Sequence, residues 1–452
     1  MKILKNPSFS ELNSVLKRPT DTQAATRRET VSGLLEEVRR EGDRAVRRLS
    51  ERFDGYAPEA FETDISAFET AEKNLPEELK SAIRLAYNNI CTFHEQQREP
   101  EISVETMPGV VCSRRSVPID RVGLYIPGGT APLFSTVLML GVPAQLAGCA
   151  EIILCTPPQA DGQVHPAVLF CAQLCGIRRV FRIGGVQAIG AMAYGTETVP
   201  QVWKIFGPGN SWVTAAKQLI SLDGVAIDLP AGPSEVCVVA DESAQAAFVA
   251  ADLLSQAEHG ADSQVLLITT SATLAEQVSL ELTQQLADLP RRTVAEQALA
   301  NSTVVVVNHL REAMELSNRY APEHLILQVE NPEQWAALVR NAGSVFLGHY
   351  TPESAGDYAS GTNHTLPTGG YARMYAGVSL DSFMKKITFQ TIDRSGLGQI
   401  GPAIVAMARA EGLEAHARTS LVSRDAGARD AQVYELEVTT AEGEWRLEFD
   451  DS

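Results

Sequence analysis

The chain has 452 residues, 44% of them hydrophobic, and a formal net charge of −18, with a sequence pI of about 5.0. That length suggests about three domains, and the apolar share supports sizeable cores. The acidic balance argues against a nucleic-acid surface, which needs a basic patch, and against binding to an anionic membrane.

The opening MKILKNPSFSELNSV carries two lysines but no apolar core of signal-peptide length. The most apolar stretch, TVLMLGVPAQLAGCA, is interrupted by Pro143 and Gln145 and is too short to span a bilayer. A cytoplasmic protein is expected. The first hundred residues read as helical. TVSGLLEEVRREGDRAVRRLSERF repeats apolar positions at helical spacing, and LPEELKSAIRLAYNNICTFHEQQRE does the same, with Pro76 near a helix start.

From Arg121 strands and helices alternate. RVGLYIPGG, EIILCTPP, RRVFRIGG and VWKIFGPG read as strands ending in Gly or Pro, with helices PLFSTVLMLGVPAQLAG, HPAVLFCAQLCG, VQAIGAMAYG and NSWVTAAKQLIS following. GVAIDLP closes this series. A second series follows: SEVCVVAD, a helix SAQAAFVAADLLSQAEHG closed by Gly260, then SQVLLITTS, STVVVVN, HLILQV and SVFLG. Apolar strands passing into helices indicate parallel sheets covered on both faces. Segment 350–380 is loop-rich, and helices are expected to resume with DSFMKK and GPAIVAMARAEGLEAHART. In the tail, QVYELEVTTAEGEWRLEF alternates apolar and polar residues, with a turn at Ala441–Gly443, and reads as an added β-hairpin.

The seven cysteines (Cys91, Cys112, Cys149, Cys155, Cys171, Cys175 and Cys237) are odd in number, lack a CxxC and sit mostly in apolar runs. They read as buried free thiols, with no disulfide framework implied. Cys112 and Cys149 are the weak candidates for a nucleophile.

Several residues can carry chemistry, each with a plainer alternative. The fingerprint G-x-G-x-x-G is absent: in Gly207-Pro208-Gly209-Asn210, Trp212 stands where the third Gly belongs, and IGGVQAIG also fails the spacing. Such turns are either structural or, being at strand ends, nucleotide contacts. Gln256 and His259, three apart, share a helix face and are either metal ligands or a helix end. Glu323 and His324, after Ala321-Pro322, are either an acid–base pair or a solvated loop pair. Asp357 and His364 are either ligands or satisfy a polar loop. Glu411 and His416 lie five apart, too far for one neat helical face.

Together these segments resemble one family closely. LYIPGG, GGVQAI, KIFGPGN, LPAGPSE, DLLSQAEHG, RYAPEHL, GDYASGTNH, LPTGGYA and EGLEAHA occur in the order found in histidinol dehydrogenases. The resemblance spans about residue 5 to about residue 420. It implies an α/β fold: two Rossmann-like parallel-sheet domains, a helical N-terminal region and a small C-terminal dimerisation region. The divisions are 1–124, helical and packing with the second α/β domain; 125–233, the NAD side; 234–380, with the zinc and catalytic residues; and 381–452, with exchanged helices and the extra tail.

The resemblance also implies a site. Gln256, His259, Asp357 and His416 would bind one Zn2+ per subunit. The family is a homodimer with an exchanged C-terminal region, so His416 would reach the other subunit's site. L-histidinol would chelate the metal and meet those four residues, Ser234, Glu323, His324, His364 and Glu411. Tyr125, Gln187 and Asn210 would contact NAD+. The implied reaction oxidises L-histidinol twice, through L-histidinal, to L-histidine, with His324 as general base and Glu323 activating water.

Two features depart from the family pattern. PPQADGQVHPA at 157–167 is longer than the usual loop and is expected at the surface, and ARTSLVSR with the acidic tail follows His416. Neither touches a proposed ligand. The rival readings are a related dehydrogenase acting on another small alcohol or diol, and a non-catalytic zinc- or nucleotide-binding protein on the same scaffold.

Overall fold

Valine- and isoleucine-rich runs ending in glycine or proline build two parallel sheets, each covered on both faces. The structure, a computed structural model, describes residues 1–18, 23–128, 132–230, 232–425, 436–440 and 443–447. In chain order the strands are β1 (Lys2–Lys5), β2 (Ile102–Met107), β3 (Val110–Pro118), β4 (Arg121–Tyr125), β5 (Glu151–Thr156), β6 (Arg179–Arg182), β7 (Lys204–Phe206) and β8 (Ala226–Ile227). There follow β9 (Glu235–Ala240), β10 (Gln264–Thr269), β11 (Thr303–Val306), β12 (His324–Gln328), β13 (Ser344–Leu347), β14 (Met384–Ile392), β15 (Leu436–Thr440) and β16 (Gly443–Leu447).

By contact the chain divides into two units. The first comprises residues 1–98 and 118–385, and the second residues 99–117 and those from 386 onward. The first unit holds both parallel sheets. One runs β6-β5-β4-β7-β8, and the other β1-β11-β10-β9-β12-β13. Setting β1 aside, the two orders are the same doubly wound pattern, and in each the direction of winding reverses beside its first strand, between β4 and β7 or between β9 and β12. The expected pair of Rossmann-like sheets is present. Strand alternation sends Val236, Val238 and Ala240 of β9 into one apolar layer and Cys237 and Val239 into the other. Each such fully buried Val contributes about 1.5–3 kcal/mol.

The placement expected for the N-terminal region needs correction. Only β1 and the helix Phe9–Val15 join the second sheet, β1 pairing with β11 and Leu12 entering its core. The helices Ala24–Glu41 and Asp43–Asp54 cover the first sheet instead, packing Val31, Leu34, Leu35, Val38 and Leu49 with Ile153, Phe181 and Ile189. The approach is closest at Gly190, where a Cβ would meet Leu35 and Val38 at 3.2 Å. The helices Ile65–Asn74 and Glu77–Glu95 pack on the opposite layer through Phe68, Ile83 and Ile90. An amphipathic stripe shows which face is buried, but not which sheet buries it.

In the second unit β2 and β3 form an antiparallel pair, and β14 lies beside β3. DSFMKK is not a helix. Leu380–Phe383 is one 3-10 turn, and Met384 already belongs to β14, where alternation in KITFQTI prevails. The helices Arg394–Ala410 and Glu414–Asp425 follow. The tail hairpin forms as expected, β15 pairing antiparallel with β16 and Thr440 opposite Gly443; residues 441–442 of its turn lie outside the described residues. In the 157–167 segment Gln159, Ala160, Asp161 and Gln163 are exposed, while Gly162 and Val164 are buried. Among the described residues, no helix is long and apolar enough to cross a membrane.

Candidate active site

In the first sheet, β4 ends at Tyr125, and β7 ends at Phe206 and passes into Gly207. Gly207 has φ +130, and a Cβ there would run into the Tyr125 carbonyl, so only glycine fits. A buried ion pair fixes this turn. Lys217 pairs with Asp228 and donates to the Gly207 carbonyl (2.7 Å), while the Gly207 N–H donates to Asp228 (2.8 Å). Asn210 caps the helix Ser211–Ile220, accepting from the N–H groups of Trp212 (3.0 Å) and Val213 (3.1 Å). A capped helix start behind a glycine turn is a ready anion site.

Of the three expected nucleotide residues, Asn210 is exposed at the turn, whereas Tyr125 and Gln187 are buried. The Tyr125 hydroxyl accepts from the Gly185 N–H (3.1 Å), and Gln187 Nε2 donates to Asp54 (3.0 Å), leaving Gln187 Oε1 without a partner. Burial pushes the Asp54 carboxyl from 3.8 up to about 6. The folded chain therefore holds this proton more tightly than the unfolded chain, and between about pH 4 and about pH 6 the group costs stability as pH rises. The melting temperature of Asp54→Asn, measured against wild type, is expected to climb across that window. A constant difference would contradict this.

The second sheet presents its opposite edge. Glu235 opens β9 and His324 opens β12, so both sit at the amino ends of the two strands that flank the winding reversal, with Glu323 just before His324. The connection from β8 to β9 runs along a cavity of about 240 Å3. Gly207 and Asn210 line one side of it, and Ser234, Glu323 and His364 also line it. Pocket walls therefore come from the carboxyl edge of one sheet and the amino edge of the other.

The entry to β12 is built by a left-handed Ala321 (φ +54) ending the helix Leu310–Tyr320, followed by Pro322, which cannot continue a helix. Glu323 and His324 are buried, not solvated. The backbone of Glu235 holds both: its N–H donates to Glu323 Oε2 (2.9 Å), and its carbonyl meets His324 Nδ1 (3.2 Å). The Glu235 side chain is in turn paired with Arg18 and accepts from the Gly369 N–H (3.1 Å). Burial raises Glu323 to about 7 against the pull of His324. Burial opposes charge on His324, yet Glu353, Glu323 and Asp357 outweigh it and raise the ring to about 10. Their oxygens lie 3.6, 3.7 and 3.5 Å from its nitrogens.

Asp357 lies not in a loop but on the short helix Glu353–Tyr358, four residues after Glu353. Burial would raise its carboxyl, but His324 prevails and keeps it low. His364 has both nitrogens engaged, Nδ1 with the Asp357 carbonyl (2.9 Å) and Nε2 with the Thr136 hydroxyl (3.1 Å). A carbonyl only accepts, so His364 carries its proton on Nδ1; burial lowers its pKa, against the pull of Asp357. Gln256 is buried near the end of the helix Ala246–Ala257, and the His259 N–H donates to its carbonyl (3.3 Å). That helix is capped by Glu258, and Gly260 does not take the left-handed cap conformation expected of it. His259 keeps an exposed face, yet partial burial of its ring lowers its pKa against the pull of Asp357. Burial pushes the Cys149 thiol up to about 11, which suits an inert cysteine.

Among the described residues, the side chains of His324, Glu353 and Asp357 bring ligand atoms within 4.8 Å of one another. This grouping shares Asp357 with the expected zinc set. Glu411, which caps the helix Arg394–Ala410, and His416 belong to the second unit, and both are exposed. Glu235 and Glu353 escape the sequence reading. Glu235 was within reach as the last residue of LPAGPSE, whereas Glu353 has no local signal. The site fits a divalent cation. Gln256 Oε1 is buried without a hydrogen-bond partner, and Asp357 stands among carboxyl groups gathered around one imidazole. Amide oxygen, imidazole nitrogen and carboxylate form a donor set that zinc-type ions accept. The glycine turn and the unpartnered Gln187 oxygen fit a nucleotide.

Doubly wound sheets presenting a glycine turn to a cavity that holds an acid and an imidazole define an α/β dehydrogenase. The family model for histidinol dehydrogenase matches residues 16–423. A histidinol dehydrogenase of Bacteroides thetaiotaomicron is 59% identical over 417 residues, covering 92% of this chain and 97% of the relative. One from Xanthomonas euvesicatoria is 56% identical over 423 residues, with the same coverage. The crystal structure of histidinol dehydrogenase from Elizabethkingia anophelis superposes with TM-score 0.91 at 49% identity, over 95% of this chain and 99% of that one. The chain belongs to the histidinol dehydrogenase family and is an oxidoreductase of histidine biosynthesis.

Proposed function

We propose that the protein oxidises L-histidinol with NAD+ in two steps, through L-histidinal, to L-histidine. The observation that carries this reading is the shared cavity, with Gly207 and Asn210 in the same wall system as Ser234, Glu323 and His364. Bound NAD+ supplies the hydride acceptor, and a zinc ion held by Gln256, His259, Asp357 and His416 supplies a cationic template that balances the surrounding carboxylates.

The chain's own groups do the rest. The carboxyl groups around His324 hold it protonated until they are offset by a cation beside Asp357; the Glu235 carbonyl, on the Nδ1 side, then leaves the Nε2 lone pair to accept the alcohol proton. Once the aldehyde forms, Glu323, raised toward neutrality by burial, takes a proton from the water that attacks it. His324, having released the first proton to solvent, then serves again as base for the hydrate. Ser234 and His364, which line the cavity, hold the amino alcohol, and Glu411 balances its cationic end. Enclosure also retains the aldehyde between steps. Tyr125, Gln187 and Asn210 contact the dinucleotide.

The active form in this reading is a homodimer in which His416 of each subunit completes the other's site. Exposed apolar side chains on the second unit, Ile102, Val104, Ile387, Phe389, Ile392, Met407 and Leu413, give that unit a surface to bury. The test follows NADH absorbance with histidinol and with simple diols. Turnover with histidinol and little with diols is expected, and equal turnover would favour a dehydrogenase for another alcohol.

A further inference from the structure

We propose that Glu353 is a positioning residue for His324, its buried carboxyl group holding the imidazole from the Nδ1 side so that Nε2 faces the reacting group. The inference rests on the reading of His324 as the base. Glu353 is fully buried, and its Oε1 has no hydrogen-bond partner and stands 3.6 Å from His324 Nδ1. The rest of the residue is fixed. Oε2 accepts from the Ser255 hydroxyl (2.9 Å), and the Glu353 N–H donates to Asp252 Oδ1 (3.3 Å). Asp252 Oδ2 accepts from Gln328 Nε2 (2.8 Å).

Gln328 ends the strand that His324 begins, four positions on and therefore on the same face. Asp252 and Ser255 lie on the helix that carries Gln256. The contacts thus close a ring from β12 to Asp252 to Glu353 and back to His324, tying the base to the helix that carries the proposed ligand Gln256. Within that ring the Glu235 carbonyl is a neutral acceptor for Nδ1–H, and Glu353 Oε1 faces the same side of the ring, its carboxyl raised by burial to about 8 against the pull of His324. Both place an acceptor oxygen on the Nδ1 side, which favours the tautomer with its lone pair on Nε2 and fixes the ring plane. Glu323 lies at a similar distance but spends one oxygen on the Glu235 N–H.

The test uses the full-length zinc-loaded enzyme and the variants Glu353→Gln, Glu353→Asp, His324→Ala and the double variant Glu353→Gln/His324→Ala. Glu353→Gln is expected to lower kcat roughly 10- to 100-fold, with KM for histidinol within about twofold and zinc per subunit unchanged. Glu353→Asp, which keeps the carboxyl group, should retain more of kcat and gives the reading should Glu353→Gln not fold. In the His324→Ala background, Glu353→Gln should cost nothing further, because its partner is gone. Normal kcat in Glu353→Gln beside an inactive His324→Ala overturns this inference alone. Zinc lost in step with kcat overturns it by making Glu353 a ligand, and additive losses overturn it by uncoupling the two residues. A wild type that does not oxidise histidinol overturns the functional reading and this inference with it.

Discussion

His324→Ala is expected to lower histidinol turnover by about 10²–10⁴-fold, the usual worth of a positioned general base, while the protein still binds zinc. The ring is enclosed, its Nδ1 is committed to the Glu235 carbonyl, and its Nε2 is the one nitrogen without a hydrogen bond. Truncation leaves Glu323, Glu353 and Asp357 facing one another without the imidazole between them. Removing one member of a buried charged cluster typically costs about 3–5 kcal/mol, so a melting curve must accompany the assay. His324→Asn retains a donor toward Glu235 at lower cost and should be equally inactive, because it lacks a basic nitrogen. Near-normal turnover in either folded variant would remove His324 from the base role.

Stripping divalent metal with a chelator is expected to abolish turnover, and added zinc to restore it. Asp357→Asn should prevent the restoration. Asp357 is the residue common to the expected ligand set and to the side chains gathered within 4.8 Å. A cation there offsets negative charge that His324, His364 and His259 otherwise oppose. Because an ion binding only the folded chain stabilises it by about 4 kcal/mol at a thousandfold excess over Kd, metal removal should also lower the melting temperature. Manganese and cobalt accept similar ligands and should restore part of the activity. His416→Ala should behave like Asp357→Asn alone, yet regain turnover when mixed and refolded with His324→Ala, since one composite site then has every group intact. Full activity after chelation would sink the metal assignment.

The parallel sheets were legible because buried strands such as EVCVVA and QVLLIT are short, continuous and β-branched. The strand MKKITFQTI was not, because its lysines and the preceding serine imitate a helix start. Glu323 and His324 were legible only as a pair that could equally have been solvated; burial decides, and it comes from the Glu235 backbone 88 and 89 positions away. Helical spacing drew attention to Gln256 and His259, although the helix ends at Ala257 and His259 lies in the turn beyond its cap. Glu353 was not, because in TPESAG it looks like an ordinary acidic residue at a helix start, and what makes it matter is Ser255, 98 positions distant. Asp54 is hidden for the same reason, its partner Gln187 being 133 positions away. Long-range contacts of this kind leave no periodicity in the chain.

The proposed chemistry is tested most directly by counting products. With limiting histidinol and excess NAD+, the zinc-loaded protein should form two NADH and one histidine for each histidinol consumed, with no free aldehyde accumulating. One NADH per histidinol with histidinal as the product, or no NADH at all, would contradict a single cavity that carries both oxidations.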